Sequence, residues 1–397
     1  MDTRSGIKTL ASPVVVIGAG IGGLSAALAL AARGVDVVVY EKAAAPGGKM
    51  RAVKIGDSRI DAGPTVFTMR DVFELIFDEA GAVLGEQLDV APLEILARHA
   101  WDADSRLDLF ADRQRSAQAI SEFAGAGEGR RYLDFCRQAG KTFKTLDDTF
   151  IRTQRPNPLS LTQRTLAEGL GGIRNIKPFG TLWGKLQTQF RDPRLRQLFG
   201  RYATYCGSSP FQAPATLRLV AHVEQEGVWV LRNGMQELAL AMTRLAQHLG
   251  VTFHFEREIS AIELRHGSVA AVRDATGETQ PCRAVISNAD PAALARGLFG
   301  RHASRAVNGY QKAPRSLSAM TFSLCATARG FPLLHHNVFF SRDYQREFDD
   351  IFGRRQLPTE PTVYVCAQDR HTPGDAHPRK ERLFCLTNAP GIVDSHH

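Results

Sequence analysis

The sequence has few cysteines: six in 397 residues (Cys136, Cys206, Cys282, Cys325, Cys366 and Cys385), with no C-x-x-C pair among them. That pattern excludes a disulfide scaffold and a zinc finger, and it fits free thiols in a reducing compartment. Histidine forms no ligand-spaced set either. His335-His336 stands alone and His396-His397 is terminal, so no metal site is expected. Long apolar runs are absent apart from residues 9–32, which carry no charge and follow Arg4 and Lys8. This stretch imitates a signal peptide or a membrane helix. Gly18, Gly20, Gly22 and Gly23 lie inside it and would break an apolar helix, so neither reading is adopted. No RNA- or DNA-binding motif accompanies the basic residues, so nucleic acid is not an expected partner.

Composition is otherwise that of a globular protein, 44% hydrophobic and 23% charged. The length exceeds what one small core needs, which predicts two interleaved domains or one large domain with an inserted lobe. The net charge of +8 is uneven. Residues 151–201 hold ten basic side chains (Arg152, Arg155, Arg164, Arg174, Lys177, Lys185, Arg191, Arg194, Arg196 and Arg201) against only Glu168 and Asp192. Phe150, Leu159, Leu161, Phe179, Leu182, Trp183, Phe190 and Phe199 are interleaved with them. Charge and grease together suit docking on an anionic membrane surface, and a solvated helical face accounts for the charge equally well.

Near the start, Val14-Val15-Val16-Ile17 reads as a buried parallel strand, followed by Gly18-Ala19-Gly20-Ile21-Gly22-Gly23. An alanine- and leucine-rich helix is predicted over 24–33, ending at Gly34, and a second strand over 35–40 closes on Glu41. In this context the glycines permit a tight turn, close backbone approach to a pyrophosphate and close helix–sheet packing. The phosphates then meet the N–H groups at the positive end of the helix. Glu41 is placed to grip ribose hydroxyls. The unit fits FAD and nicotinamide dinucleotides alike.

The next segment separates them. Gly47-Gly48 and Lys49 follow at once, and Gly63 comes in Ile60-Asp61-Ala62-Gly63-Pro64-Thr65. A second glycine pair lets the chain run flat along a long dinucleotide, Lys49 offsets pyrophosphate charge, and Gly63 admits a bulky ring. The arrangement resembles the GG-doublet flavoproteins, which include amine oxidases and carotenoid desaturases. Residues 235–249 repeat apolar positions at three and four and so predict an amphipathic helix. Short strands follow over 251–255, 259–264 and 269–272, and 284–290 closes the set. The resemblance implies that these elements return to the cofactor domain, with the backbone of Ile259 reading adenine.

The strings Arg201-Tyr202-Ala203-Thr204-Tyr205-Cys206-Gly207-Ser208-Ser209-Pro210, Ala213-Pro214-Ala215-Thr216, His222-Val223-Glu224, Asn233-Gly234-Met235, Ser287-Asn288-Ala289-Asp290 and Thr387-Asn388-Ala389-Pro390 run the length of the chain. They resemble the bacterial phytoene desaturase family, and within it the hydroxycarotenoid 3,4-desaturase branch. The resemblance implies an α/β protein. It has a Rossmann-like FAD-binding domain of the amine-oxidase type, an inserted, partly helical lobe for substrate and membrane, and a mixed β substrate domain. The expected division is 1–75, 76–225, 226–297 and 298–397. The cofactor implied is FAD, held by Gly18, Gly20, Gly22, Gly23, Glu41, Lys42, Gly47, Gly48, Lys49, Gly63 and Ile259.

The activity implied is C-3,4 desaturation of an acyclic 1-hydroxy or 1-methoxy carotenoid, with electrons passing to oxygen or a quinone. The protein is then expected in the cytoplasm, peripheral at the inner membrane. Removing two hydrogens from an unactivated bond needs a cofactor as electron acceptor, and the substrate is bound chiefly by apolar burial. No catalytic base is assigned: Asp147, Asp148, Arg152 and His222 each read as surface or structural residues. Tyr202, Tyr205 and Ser209 are candidates to meet the hydroxyl end. Other readings are phytoene desaturase, a retinoid saturase, an amine oxidase and a non-catalytic fragment. Family members carry a further glycine- and proline-rich segment after the Asn-Ala-Pro string that completes the flavin site. Residues 391–397 lack it, so a chain of this length is expected to fold poorly or hold FAD weakly.

Overall fold

The computed structural model describes residues 12–147, 151–152, 180–307, 309–310, 314–371 and 380–391. Strand β1 (Val14–Ile17) and strand β2 (Val37–Tyr40) are buried along their whole lengths. They form the centre of a four-stranded parallel sheet, flanked by Ala284–Ser287 beside β1 and Thr252–His254 beside β2. A strand covered on both faces has no polar side, which is why these segments read as unbroken β-branched runs. Helix α1 (Ile21–Ala31) crosses between β1 and β2 and packs on the helix Gln236–His248 through Leu24, Leu28, Leu238 and Met242. It starts three residues earlier than its apolar pattern predicts. Gly22 and Gly23 are poor helix formers, and their place in the first turn is set by the close approach of Asn288 and of the Gly18 carbonyl rather than by propensity.

Residues Ile259–Arg265, Ser268–Asp274 and Thr279–Pro281 form an antiparallel meander beside this sheet. A second, six-stranded sheet runs in the order Ser318–Ala326, Glu381–Ala389, Val363–Ala367, His336–Phe339, Ile95–Ala100, Arg106–Phe110. All its pairings are antiparallel except that of Ile95–Ala100 with His336–Phe339. The stretch 76–225 therefore lends two strands to the sheet built by 298–397, and the two segments share a core. The helices Arg113–Ala124, Ala126–Leu146, Pro193–Gly200 and Leu219–Gln225 complete that core.

The core also corrects part of the membrane reading. Leu182, Phe190 and Phe199 are at most 1% exposed, packed with Tyr132 and Phe135. Each buried side chain of this size contributes about 2 kcal/mol to the fold, so none of the three faces a bilayer. Trp183 is half-buried against Phe211 and Tyr344. Several of the basic side chains are also engaged at home. Arg194 pairs with Asp192 and covers the Phe123 ring, and Arg196 donates to the Phe190 and Arg191 carbonyls. Arg152 bridges Asp71 and Asp147. Phe150, Leu159, Leu161, Phe179, Arg155, Arg164, Arg174 and Lys177 lie outside the described residues. No helix among the described residues is long and apolar enough to cross a membrane.

Candidate active site

The loop from β1 to α1 and the Gly47-Gly48 pair lie against each other. Gly20 and Gly47 form an isolated parallel bridge, and the Gly47 N–H donates to the Ala19 carbonyl at 2.8 Å. Gly18 donates to the Tyr40 carbonyl, which fastens the turn to β2. Two approaches leave no room for a side chain. A Cβ on Gly23 would lie 1.9 Å from the Gly18 carbonyl oxygen, and one on Gly63 would lie 1.8 Å from that of Lys49. At Gly22 the nearest neighbour is the Asn288 amide, which a Cβ would meet at 2.6 Å. Asn288 follows the strand Ala284–Ser287 and so comes to the loop from the far side of the chain. Asn288 lies in the Ser287–Asp290 string, whose spacing gives no sign of that approach.

Glu41 is 7% exposed. Its Oε2 accepts from the Ala19 N–H at 2.7 Å and its Oε1 from the Ala43 N–H at 2.8 Å. Each oxygen has a further lone pair. Ile259 is buried with Val38 and Tyr40, and two residues before it Arg257 N–H donates to the Glu41 carbonyl at 3.0 Å. Gly18, Gly20, Gly22, Gly23, Glu41, Gly47, Gly48, Lys49, Gly63 and Ile259 thus fall in one region. Lys42 is exposed and is not among the residues lining the cleft described next.

These residues fit a dinucleotide. No side-chain hydrogen bond caps the N-terminus of α1 and none of its first-turn residues is acidic, so its N–H groups suit a phosphate. The carboxylate of Glu41 has spare acceptors for ribose hydroxyls.

From Gly48, Lys49 and Gly63 a cleft of about 1280 Å³ opens toward the helices of the second core. Val66, Val220, Val223, Leu317, Phe384 and Leu386 give it apolar walls. Three polar groups interrupt them. In the first, Tyr202 donates to Glu224 Oε2 at 2.6 Å and Tyr205 donates to Oε1 at 2.8 Å. Arg201 Nη2 donates to the Tyr205 hydroxyl at 2.9 Å, with its guanidinium 5.1 Å from the centre of that ring. Burial alone would disfavour the Arg201 charge, but Tyr205, Glu224 and Tyr202 hold it firmly protonated. Burial also pushes both phenols above their ordinary range, and the neighbouring carboxylate adds to the effect. Arg201, Tyr205 and Glu224 line the cleft, whereas Tyr202 stands behind them. Ser209 is also buried away from the cleft, and its hydroxyl accepts from the Phe211 N–H.

The second group is a chain: Thr65 Oγ1 and the Tyr364 hydroxyl are 2.6 Å apart, and that hydroxyl is 2.7 Å from His336 Nδ1. The third is Asp290, Arg296 and Arg315 at the mouth, where Arg315 and Asp290 approach to 4.0 Å.

Behind the cleft, Asp61 accepts from the backbone N–H groups of Met235 and Gln236, and Gln236 donates to the Pro46 carbonyl. These bonds tie the glycine pair to the helix Gln236–His248. Burial raises the Asp61 carboxyl above its usual range, and the two N–H donors oppose that shift. Cys366 comes to the His335-His336 pair from another strand, with ligand-type atoms of all three within 4.8 Å of one another. Burial lowers His335 to about 3 and lifts the Cys366 thiol to about 12, so the cluster is neutral as it stands. Asp147 and Arg152 pair with each other, and His222 packs on the Phe143 ring; none of the three lines the cleft.

Residues 21–383 match the family model described as flavin containing amine oxidoreductase. The chain is 52% identical over 382 residues to the hydroxyneurosporene desaturase of Rubrivivax gelatinosus, covering 96% of this chain and 73% of that protein. It is 29% identical over 384 residues to the 1-hydroxycarotenoid 3,4-desaturase of a Flavobacterium species, covering 95% of this chain and 76% of that protein. Among solved structures, an oxidoreductase from Methanosarcina mazei superposes with a TM-score of 0.60 at 16% identity, covering 96% of this chain and 79% of the other. That likeness speaks to the fold alone.

Proposed function

The chain belongs to the flavin containing amine oxidoreductases and, within them, to the FAD-dependent carotenoid desaturases, and from that premise we propose that it desaturates the C-3,4 bond of an acyclic 1-hydroxy carotenoid. The observation that carries the reading is the 52% identity to a hydroxyneurosporene desaturase across nearly the whole chain. The substrate loses two hydrogens from adjacent carbons, one with its electron pair and one as a proton. A bound FAD supplies the two-electron acceptor that no side chain provides.

The chain's own residues contribute binding and exclusion of water. The Gly18–Gly23 loop and Glu41 would hold the adenosine and pyrophosphate. Gly48, Lys49 and Gly63 open the place where the ring meets the cleft. The valines, leucines and Phe384 along the cleft would bury the polyene, at about 25 cal/mol per Å² of apolar surface removed from water. A substrate of this kind resides in lipid. Apart from Arg201, which is spent in the cleft wall, the surplus of basic residues over 151–201 supports attachment to an anionic membrane on the cytoplasmic side.

The test is pigment analysis of cells that accumulate 1-hydroxy acyclic carotenoids and express this gene. A product with one more conjugated double bond at the hydroxylated end is expected. Unchanged pigment, with folded flavoprotein present, would overturn the reading.

A further inference from the structure

In the polar group on the cleft wall every phenolic hydrogen already has an acceptor. An ionised carboxylate only accepts hydrogen bonds and a guanidinium only donates them. With Glu224 opposite Arg201, the hydrogens of Tyr202 and Tyr205 are therefore both committed to Glu224, at 2.6 and 2.8 Å. Arg201 Nη2 spends a donor on the Tyr205 oxygen at 2.9 Å. What is left at the cleft is acceptor capacity on Glu224 and the Tyr205 oxygen, beside donor capacity on Arg201, whose buried Nε–H has no partner among the described residues. The opposed charges of Arg201 and Glu224 leave no excess charge to attract an ion. The surrounding wall, with Val220 and Val223 on the same helix as Glu224, is apolar.

We propose that Glu224 and Tyr205, with Arg201 beside them, form the end-group subsite of the cleft, and that it selects a neutral alcohol because an O–H alone both donates to the free acceptors and accepts from the guanidinium. This rests on the desaturase reading above and adds the basis of its selectivity. A 1-hydroxyl satisfies the subsite. A methyl ether can accept from Arg201 but leaves Glu224 and Tyr205 without a donor. A hydrocarbon end leaves buried acceptors stripped of water. A site built to bond a substrate hydroxyl discriminates strongly against an analogue that lacks it, because its own polar groups are then left unpaired. Tyr202 acts through Glu224, as a positioning residue.

The experiment uses the full chain carrying its flavin and three acyclic carotenoids that differ only at C-1: hydroxy, methoxy and unsubstituted. The parent is expected to favour the hydroxy compound in kcat/KM by about tenfold or more over each of the others, a factor that corresponds to one hydrogen bond. Glu224→Gln keeps the shape and places an amide N–H at the subsite, so the hydroxy-to-methoxy ratio should fall about tenfold. Tyr205→Phe removes one acceptor and should lower the hydroxy-to-unsubstituted ratio several-fold. It serves as the test if the glutamine variant does not fold, with flavin per chain measured for both.

A parent that converts all three substrates equally would overturn the subsite while leaving the desaturase reading standing. A Glu224→Gln variant that is slower on every substrate but keeps the parent's ratios would assign Glu224 a structural role and also overturn it. A parent that converts none of the three would overturn the desaturase reading and the subsite together.

Discussion

The dinucleotide end and the cleft wall are built in opposite ways. At the first, backbone meets backbone: the Gly47 N–H on the Ala19 carbonyl, and Gly23 and Gly63 against carbonyl oxygens with no space for a Cβ. At the second, side chains from different elements meet: Arg201 and Tyr205 with Glu224, and Thr65 with Tyr364 and His336. A backbone site is rigid, tolerates no added atoms and hardly responds to pH. A side-chain site is adaptable and can set specificity, but it depends on groups kept neutral or paired in the interior. Binding a cofactor common to many enzymes suits the first construction, and telling one substrate from another suits the second.

The sharpest way to break this contrast is at the glycines. Gly63→Ala forces a methyl into the Lys49 carbonyl, which cannot yield without moving the chain. The expected cost is about 3 kcal/mol or more of stability, with flavin lost alongside. Gly20→Ala should separate the two effects. Gly20 has φ −71°, which alanine accepts, and the nearest neighbour of an added Cβ is the Asn288 side chain at 3.3 Å. That variant should fold normally and still lose flavin, because the methyl stands where a pyrophosphate would approach. Thermal unfolding and flavin-to-protein ratio check both. Equal destabilisation by the two substitutions would contradict the placement of the loop.

Next in size is Glu41→Ala. It leaves the buried Ala19 N–H without its acceptor, at a cost of about 1–3 kcal/mol, and it removes the ribose partner. Flavin affinity should fall by one to two orders of magnitude, read by titration of the stripped protein.

The smallest effect concerns pH, and it belongs to the six-stranded sheet. His99 sits in the strand Ile95–Ala100, fully buried near Phe340, and burial, then the Arg201 charge, lower it to about 3 from an ordinary 6.5. A group lowered in this way contributes stability that is complete above pH 6.5 and is lost as pH falls from there toward 3. By pH 5 the loss is roughly 2 kcal/mol. His99→Phe should make the acid limb of the stability curve shallower over that window, with buried His335 and His336 still contributing to what remains. An unchanged acid limb would show that His99 carries no such penalty.

The same contrast explains what could be read in the sequence. β1, α1, β2 and Glu41 form one contiguous stretch with every glycine in register, so the unit was legible down to its acid. The helix Gln236–His248 and the meander were legible from their periodicities and turns. The pairing of Ile95–Ala100 with His336–Phe339 was not, because nothing local in two strands some 240 residues apart names the partner. Nor was the approach of Cys366 to the histidine pair, or of Glu224 to the phenols. The Arg201–Pro210 string pointed to Tyr205, but it pointed equally to Ser209, which turns inward. Leu182, Phe190 and Phe199 read as membrane contacts because an apolar residue among arginines looks the same whether it meets lipid or a core. Only the helices packed over them decide between the two.

On this reading the cleft brings an apolar carotenoid against a flavin held by the glycine loop. The most direct test is a single turnover without oxygen: the purified holoprotein is mixed with a 1-hydroxy acyclic carotenoid and the yellow absorbance of oxidised flavin is followed. Bleaching is expected, with desaturated carotenoid formed in equal amount to the flavin reduced. Flavin that stays oxidised with the carotenoid but bleaches with a primary amine would contradict it and make the protein an amine oxidase.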